Sequence, residues 1–496
     1  MIDATASMTV SKPRIEVRSA IWPAIAFGSV LAIYLCRLKA VQHYSFQTSA
    51  YDLGIQANVA WNTAHGYWFW DAVQGLNYLG DHFSPIHLLV APIYRLWPDA
   101  MTLLVIQSAA IGSAATALYL ICVQLFGRQR EAILLTTLFA FNVYVHRVSA
   151  FDFHPVAFGI PIFLWALYCI ETRRFAHAIA LMCLAAGVEE TLIPPIFGLG
   201  AYIFLFHRQH RTIGLMVMLA ACVYFLAVVK VFMPFFLQED RLTHIGRFSN
   251  LGGGTLSEIV VSILRNPLIP LREMLTPVAK IKSMTVLLMS VWLLPLLAPR
   301  QLILLVLPVT LMVIGNFEPQ WRLYYQYSAP ALPFMFFAAA HGLLRLHTLA
   351  TTLPYRYRLS GSAIDAGLAV GVAVVVFGFY AKVRHLYYDS AAAVPVEAIA
   401  VMVRQVPAAA DVCANQHIVP HLANRYRVTM FGRNRSHPQQ LCDGRYLVIH
   451  RETTNGRLAW PMPVEDYRQA VAEVLQSNAF DVLAERAGVL LLRRKP

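Results

Sequence analysis

Long uncharged windows alternate with short polar segments along most of the chain. Examples are "IWPAIAFGSVLAIYL" from Ile21, "VLLMSVWLLPLLA" from Val286 and "AGLAVGVAVVVFGFYA" from Ala366. Many windows approach the roughly 20 residues that a helix needs to cross a bilayer. The pattern predicts an all-α polytopic membrane protein with about eleven transmembrane helices. The candidate spans begin near Ile21, Met101, Glu131, Phe153, Phe175, Thr191, Thr212, Thr285, Gln301, Gln326 and Ala363.

The composition supports this fold class. The chain is 58% hydrophobic and 14% charged, whereas soluble domains are about 45–50% apolar and about 25% charged. The net charge of +13 lies mainly in short loops between apolar segments, where basic residues orient helices towards the cytoplasm. No basic run alternates with aromatic residues outside the apolar windows, so the bilayer is the expected partner and nucleic acid is not.

The segment from Phe83 to Trp97 decides the predicted topology. It is apolar but short and contains two prolines, so it is either a twelfth span or a helix at the interface. The interfacial alternative places nearly all basic short loops, such as "FGRQRE" from Phe126 and "ETRRFAH" from Glu171, on one side. That side is then the cytoplasm, with the N-terminus inside and the C-terminus outside.

This topology divides the chain into three parts, in a protein expected in the bacterial inner (cytoplasmic) membrane. Residues 1–20 form a cytoplasmic segment whose following apolar window is retained as an anchor. Residues 21–386 form the transmembrane domain, with outer loops at 41–100 and 237–284. Residues 387–496 form an extracytoplasmic α/β domain.

The α/β domain is predicted from amphipathic helices in "VPVEAIAVMVRQV" and "EDYRQAVAEVLQS" and from strands in "RYRVTMF", "RYLVIH" and "GVLLLRR". No phosphate-binding glycine loop is present in it; "LGGGT" from Leu251 lies in an outer loop and lacks the required Lys-Ser/Thr. Cys413 and Cys442 lie in this domain. Whether they form a disulfide or remain two thiols is left open.

Titratable residues collect on the predicted outer face. Ionisable groups at membrane depth are costly unless they are paired or face a polar cavity, so their convergence indicates an outward-facing aqueous site. The residues that converge are Asp52, Asp71, Asp81, His82, His87, Asp152, His154, Glu189, Glu190, Asp240, Arg241, Arg247, Lys280, Lys282, Glu318 and Arg322.

Two short motifs have both a chemical and a structural interpretation. Asp52 in "YDLGIQANVAWNTAHG" is either a helix N-cap or a general base or metal ligand at the mouth of a cavity. In "GDHFSPIH", Asp81 and His82 are adjacent, which is a weak metal signature compared with His-Glu-x-x-His. Helix caps and interfacial hydrogen bonds are the structural alternative there.

Three other motifs also point to the outer face. Asp152 and His154 in "FDFHP" share a face if the backbone is extended and could orient an imidazole or hold a divalent ion, although a helix N-terminal box is an alternative. Glu189 and Glu190 in "GVEET" repel one another unless a cation or proton intervenes. The aromatic run "WRLYYQY", which includes Tyr324 and Tyr325, either stacks on a sugar or forms an interfacial belt.

The order of these motifs resembles a known family. "YDLGIQANVAWNTAHG", "LGDHFSPIHLLVAPIYRLWPDAMTLLVIQS", "FDFHPVAFGIPIFLWALY", "EET" and "YYQYSAPALPFMFFAAAHGL" are similar to the predicted membrane proteins catalogued as domain of unknown function 2079. The similarity extends from about residue 40 to about residue 450. That family in turn resembles the GT-C superfamily of membrane glycosyltransferases, which have an acidic residue just after the first span and juxtamembrane helices in a large first outer loop.

The resemblance implies a sugar transferase that uses a polyprenyl-phosphate-linked donor, with Asp52 as the catalytic carboxylate and 83–97 beside the membrane. The acceptor is an unidentified glycan, lipid or protein. We expect the acceptor to be positioned by Asp81, His82, Asp152, His154, Glu189, Glu190, Tyr324 and Tyr325. We expect the donor phosphate to be bound by Arg322, Arg241, Arg247, Lys280 or Lys282.

The candidate cofactor is Mg²⁺ or Mn²⁺, and the candidate ligands are Asp52, Asp152, His154 and Glu189. Asp52 is followed by Leu53 rather than by a second acidic residue, so the metal requirement is left open. Two functions from other classes are weighed against the transferase. A transporter or flippase predicts ionisable residues at mid-membrane and paired halves, whereas a scaffold needs no catalytic carboxylate.

Overall fold

The computed structural model describes residues 17–238, 243–352, 360–390, 394–432, 442 and 444–496. Its helices are α1 (Val17–Tyr44), α2 (Ile55–Ala64), α3 (Tyr78–Asp81), α4 (His87–Leu96), α5 (Ala100–Phe126), α6 (Gln129–Ala140), α7 (Val143–Ala150), α8 (Gly159–Glu171), α9 (Phe175–Ala186), α10 (Ile193–Phe206), α11 (Arg211–Ala227), α12 (Met233–Leu237), α13 (Leu256–Arg265), α14 (Ile269–Leu275), α15 (Val278–Met289), α16 (Pro299–Val313), α17 (Glu318–Trp321), α18 (Leu332–Thr352), α19 (Gly361–Tyr387), α20 (Val396–Gln405), α21 (Gly456–Ala459) and α22 (Val464–Gln476). Its strands are β1 (Trp70–Asp71), β2 (Leu76–Asn77), β3 (Val412–Ala414), β4 (Val428–Met430), β5 (Tyr446–His450), β6 (Phe480–Arg486) and β7 (Val489–Arg494).

Several helices are long and apolar enough to cross a membrane. Within the described ranges they are Arg18–Tyr44, Ala100–Phe126, Arg208–Leu237 and Gly361–Val383. A fifth span is possible if α6 and α7, which meet at a 46° bend, cross together. Shorter apolar helices occupy Pro155–Glu171, Phe175–Ala186, Glu190–Phe206 and Pro299–Val313. The chain is thus mostly helical with several candidate spans, and the number eleven stays a prediction.

Two predicted segments do not form a single long helix. Helix α15 ends at Met289 and is followed by left-handed backbone at Trp292 and Leu293, with φ of 54° and 59°, so the window from Thr285 is broken. Helix α4 has ten residues, which rise about 15 Å. That is half the thickness of the hydrocarbon core, so α4 cannot cross the membrane alone.

Helix α5 lies at the centre of the helical bundle. In its most apolar window 67% of the residues are buried, against 22–28% in the other three long helices. It packs closely on α1 because two glycines face one another. A Cβ on Gly28 would lie 2.5 Å from the carbonyl oxygen of Gly112, and a Cβ on Gly112 would lie 2.3 Å from that of Gly28. Small residues of this kind let membrane helices approach at backbone distance.

The outer helices expose large apolar side chains that suit lipid. On α19, Phe377 is 82% exposed and Tyr380 is 77% exposed. On α11, Val223 is 68% exposed, and on α1, Trp22 is 75% exposed. Soluble proteins rarely expose contiguous apolar patches of large size. The hydrocarbon core of a bilayer solvates such a surface at no cost.

The C-terminal region contains a five-stranded sheet with strand order β4-β3-β5-β7-β6. Strand β3 is parallel to β4 and β5, whereas β7 is antiparallel to both β5 and β6. The predicted strands correspond to β4, β5 and β7. Strands β3 and β6 were not predicted. Strand β3 is short, and β6 lacks a regular alternation of apolar and polar residues. Cys413 and Cys442 are buried in the same hydrophobic cluster.

Candidate active site

Asp52 pairs with His154. The Asp52 Oδ1 and His154 Nε2 atoms are 3.1 Å apart, and both side chains are only slightly exposed, 13% and 15%. Asp52 is not an N-cap, because it lies inside a π-helical turn (Ala50–Gly54) and Gly54 occupies the cap position of α2. The other ring nitrogen of His154, Nδ1, is buried and has no hydrogen-bond partner within the described part of the chain. Solvent therefore reaches both members of the pair to a similar small extent, and His154 Nε2 positions the carboxylate.

Asp152 lies beneath this pair and is buried. Its Oδ2 accepts a hydrogen bond from the backbone N–H of Ser49 at 2.6 Å. Its carbonyl oxygen accepts from Lys39 Nζ at 2.9 Å and from Gln107 Nε2 at 3.1 Å. Burial and, second to it, the nearby Asp52 carboxylate raise the pKa of Asp152 to about 7. Asp152 thus connects the loop between α7 and α8 to α1 and α5, and its carboxyl group interacts electrostatically with that of Asp52.

The adjacent carboxylates Glu189 and Glu190 point to different partners. Glu189 has an extended backbone with φ of −168°, and successive side chains of an extended chain point to opposite sides. Its Oε1 accepts from Thr191 Oγ1 at 2.7 Å, and burial raises its pKa. Glu190 accepts from the His82 ring at 3.0 Å and from the Phe83 N–H at 2.9 Å.

His82 supplies the positive charge that this pair of carboxylates requires. Burial on its own lowers the pKa of His82, but the Glu190 carboxylate outweighs burial and the pKa rises to about 10. With no ion bound, an imidazolium at neutral pH therefore lies beside Glu190, and a metal ion at Nε2 would displace one of its protons. The imidazolium offsets the repulsion that the sequence indicated.

A third group of donors lies on the other side of His82. The two Nε2 atoms of His82 and His244 are 3.2 Å apart, and Asp81 Oδ1 lies 3.3 Å from His244 Nε2. Two ligands bound to one zinc or manganese ion are about 3.0–3.4 Å apart. Asp81 Oδ1 has no hydrogen-bond partner among the described residues. The donor set therefore fits a divalent ion, and the contact of Glu190 with His82 Nδ1 is the carboxylate–histidine arrangement that orients metal ligands.

The four residues predicted to bind one metal ion do not lie together in one group of possible ligands. Within the described part of the chain, the outer groups of three possible ligands are Asp81–His82–His244 and His82–Glu189–Glu190. Glu189 belongs to the second group. Asp52, Asp152 and His154 belong to neither, so the four predicted ligands do not form one site.

A row of aromatic rings leads from the Asp52–His154 pair to a basic pocket. Phe151 stacks on His154 with ring centroids 5.2 Å apart and on Tyr325 at 4.1 Å. Tyr325 neighbours Tyr324 at 6.2 Å, and the Arg147 guanidinium lies 5.4 Å from the Tyr324 ring. The pocket has a volume of about 190 Å³. Its lining residues are Tyr144, Arg147, Ala279, Lys282, Ser283, Val286, Trp321, Arg322 and Tyr324.

Only part of the predicted phosphate-binding set reaches this pocket. Arg322 lines it and pairs with Glu318 at 2.5 Å. Lys280 is buried and donates to the Glu273 carbonyl at 2.7 Å. Arg247 packs over Phe317, with its guanidinium carbon 4.6 Å from the ring centroid. Arg241 lies outside the described residues.

The C-terminal domain packs over the segment 41–100. Asn58 on α2 donates to the carbonyls of Ala423 and Arg425 at 2.9 Å and 2.8 Å. The ring of His43 stacks on that of His421 at 4.1 Å, and Trp460 packs edge-to-face on Tyr51 at 4.9 Å, next to Asp52. This domain therefore forms one wall beside Asp52. A larger cavity of about 380 Å³ lies within it and contains none of the predicted site residues.

Sequence reasoning missed His244, Arg147 and Gln107. His244 lies in a long outer loop far along the chain from its partners, so spacing gave no signal. Arg147 lies five residues before Asp152, and an arginine within an otherwise apolar segment was a usable signal. Gln107 is in the middle of α5, and it supports "FDFHP" by accepting a hydrogen bond from the His154 N–H at 3.0 Å.

The profile of a family of predicted membrane proteins, DUF2079, matches residues 42–491, which is most of the chain. The chain belongs to this family. None of the curated proteins matches it. The family description states a membrane protein, in agreement with the apolar helices, and the resemblance to the GT-C superfamily stays a prediction.

Proposed function

We propose that this DUF2079 protein is a membrane glycosyltransferase that moves a sugar from a polyprenyl-phosphate-linked donor to an acceptor outside the cytoplasm. The observation that supports it most is the Asp52–His154 pair at 3.1 Å. A slightly exposed carboxylate positioned by an imidazole suits a general base, and such a base contributes about 10²- to 10⁴-fold.

In the proposed reaction the acceptor hydroxyl oxygen attacks the anomeric carbon of the donor. The hydroxyl proton passes to Asp52, a new glycosidic bond forms, and the bond between the sugar and phosphate breaks. Polyprenyl phosphate leaves with the electron pair of that bond. His154 holds the carboxylate in place, and the Trp460 side of the C-terminal domain bounds the acceptor space.

The basic pocket suits the donor phosphate. Arg147, Lys282 and Arg322 surround it, and hydrogen bonds between such cations and phosphate are charge-assisted and strong. Tyr324, Tyr325 and Phe151 lie between the pocket and Asp52, where aromatic rings can stack on a pyranose. This assignment keeps Arg322 and Lys282 of the predicted set, adds Arg147, and leaves out Lys280 and Arg247.

A divalent ion, if required, would be held by Asp81, His82 and His244. It would supply positive charge beside Glu190, which contacts His82. The transporter and scaffold alternatives have no specific contact in their favour, since the titratable residues of the outer face lie at helix ends and loops rather than within the long helices.

The test is turnover of a lipid-linked sugar. We would purify wild type and Asp52→Asn, supply a panel of polyprenyl-phosphate sugars with candidate acceptors, and follow free polyprenyl phosphate by mass spectrometry. We expect release by wild type and a loss of about 10²-fold or more in Asp52→Asn. Asp481→Asn, the same change at an exposed carboxylate of β6, is the matched control and should retain release. Equal release by wild type and Asp52→Asn would contradict the role of Asp52, and no release from any donor would contradict the transferase.

A further inference from the structure

A second cluster of titratable side chains lies at the end of the bundle away from the candidate active site. Glu131 is in the first turn of α6, His347 is near the end of α18, and Asp365 is near the start of α19. Helix α5 links the two ends. It begins beside Pro98, whose carbonyl accepts from Asn424 of the C-terminal domain, and it ends at Phe126, whose ring contacts His347 at 6.1 Å. Its 27 residues span about 40 Å.

The cluster is buried and its polar atoms are unsatisfied. The side chains of Glu131 and Asp365 are 0% and 1% exposed. Both oxygens of each carboxylate, and Nε2 of His347, have no hydrogen-bond partner among the described residues. Buried polar groups are nearly always hydrogen-bonded or bound to an ion. Two buried carboxylates without a hydrogen-bond donor in the described ranges, beside an imidazole that contacts one of them at 3.1 Å without hydrogen-bond geometry, therefore call for a ligand.

The neighbouring arginines do not satisfy the two carboxylates. Arg128 Nε lies 3.6 Å from Glu131 Oε1, and an Arg130 nitrogen lies 3.5 Å from Asp365 Oδ2. These distances exceed those of good N–H···O bonds, about 2.7–3.2 Å. Both guanidinium groups are about half exposed, so water already binds them. They reduce the net charge of the cluster and leave its interior oxygens without donors.

We propose that Glu131, His347 and Asp365 bind a divalent transition-metal ion. One ligand atom from each residue lies within 4.8 Å of the others, and His347 Nε2 is 3.1 Å from Asp365 Oδ1. That separation matches the roughly 3.0–3.4 Å between two ligands of one zinc or manganese ion. A set of one imidazole and two carboxylates suits Mn²⁺, Fe²⁺ or Zn²⁺ better than Mg²⁺ or Ca²⁺, which prefer oxygen ligands alone.

The ion would bridge the ends of three helices, α6, α18 and α19. Helix α19 leads directly to the C-terminal domain, so an ion between α19, α6 and α18 would fix the last helix to the bundle. This role is structural and independent of the proposed transferase. Its test therefore measures bound metal and stability rather than turnover.

The experiment uses the full chain with His82→Ala as the parent, because His82 belongs to both of the other groups of possible ligands, Asp81–His82–His244 and His82–Glu189–Glu190. The protein is stripped with a chelator, reloaded separately with Mn²⁺, Zn²⁺ or Mg²⁺, desalted, and its metal content is measured by mass spectrometry. We expect about one equivalent of Mn²⁺ or Zn²⁺ and none of Mg²⁺. Adding Glu131→Gln or His347→Ala should weaken binding by at least about 100-fold.

Glu171→Gln is the matched control, because Glu171 forms a partly buried pair with His341 at 3.6 Å outside the cluster. It should retain the metal. Thermal unfolding of each variant establishes that it is folded, and Asp365→Asn replaces any variant that is not. The proposal is overturned if the parent binds no Mn²⁺ or Zn²⁺, or if folded Glu131→Gln and His347→Ala bind as much as the parent. The cluster would then be an ion-pair network with Arg128 and Arg130.

Discussion

Replacing Asp152 with asparagine should stabilise the protein at alkaline pH and have little effect at acidic pH. Burial and the Asp52 carboxylate raise the pKa of Asp152 to about 7 from its ordinary value of 3.8. The folded state therefore binds this proton more tightly than the unfolded state does. Stability from this group is complete below about pH 4 and is lost as the pH rises through about 7.

The magnitude follows from the linkage between proton binding and unfolding. One pKa unit corresponds to about 1.4 kcal/mol, so titration of Asp152 between pH 5 and pH 8 costs wild type up to ~3 kcal/mol. The Asp152→Asn variant keeps an oxygen that can accept from the Ser49 N–H and carries no charge at any pH. The free energy of unfolding of Asp152→Asn should therefore not decrease between pH 5 and pH 8 on account of this residue.

The assay is thermal unfolding of wild type and Asp152→Asn in detergent from pH 5 to pH 8. The Tm difference in favour of Asp152→Asn should be small at pH 5 and should grow by several °C by pH 8. Asp52→Asn should shift the wild-type transition to lower pH, because it removes the second cause of the raised pKa, whereas Asp481→Asn should not. If the Tm of wild type and that of Asp152→Asn changed in parallel with pH, or if Asp152→Asn were the less stable protein at pH 8, the reasoning would be refuted.

Two further predictions concern packing. Gly112→Leu places a side chain against the Gly28 carbonyl, where a Cβ alone would lie 2.3 Å from the oxygen, and should abolish recovery of monodisperse protein in gel filtration. Gly367→Leu on α19, where nothing lies within 4 Å of a Cβ, should be recovered normally; equal recovery of both would contradict the close α1–α5 contact. Asn58→Ala leaves two carbonyls of the C-terminal domain without their donor, at about 1–3 kcal/mol each, and should speed proteolytic release of that domain. Unchanged proteolysis would show that these bonds do not hold the domain.

The amino-acid sequence alone indicated a membrane protein and drew attention to three motifs with titratable residues. Uncharged windows of helical length leave few alternatives to a membrane bundle, because only helices and closed barrels satisfy the backbone in lipid. The same local reasoning predicted α20, α22 and three strands of the C-terminal sheet. It also marked "FDFHP", "GVEET" and "GDHFSPIH" as unusual, because titratable residues are costly beside apolar segments.

Which of those titratable residues contact one another depends on the tertiary structure. Asp52 and His154 are about a hundred positions apart, and His82, Glu190 and His244 come from three separate outer segments, so no local spacing could pair them. The inner cluster illustrates the same limit: Glu131 was predicted only as the start of a span, and its neighbours His347 and Asp365 lie more than 200 positions away. Side chains distant along the chain meet only through the packing of whole helices, and that packing depends on close contacts such as Gly28 against Gly112.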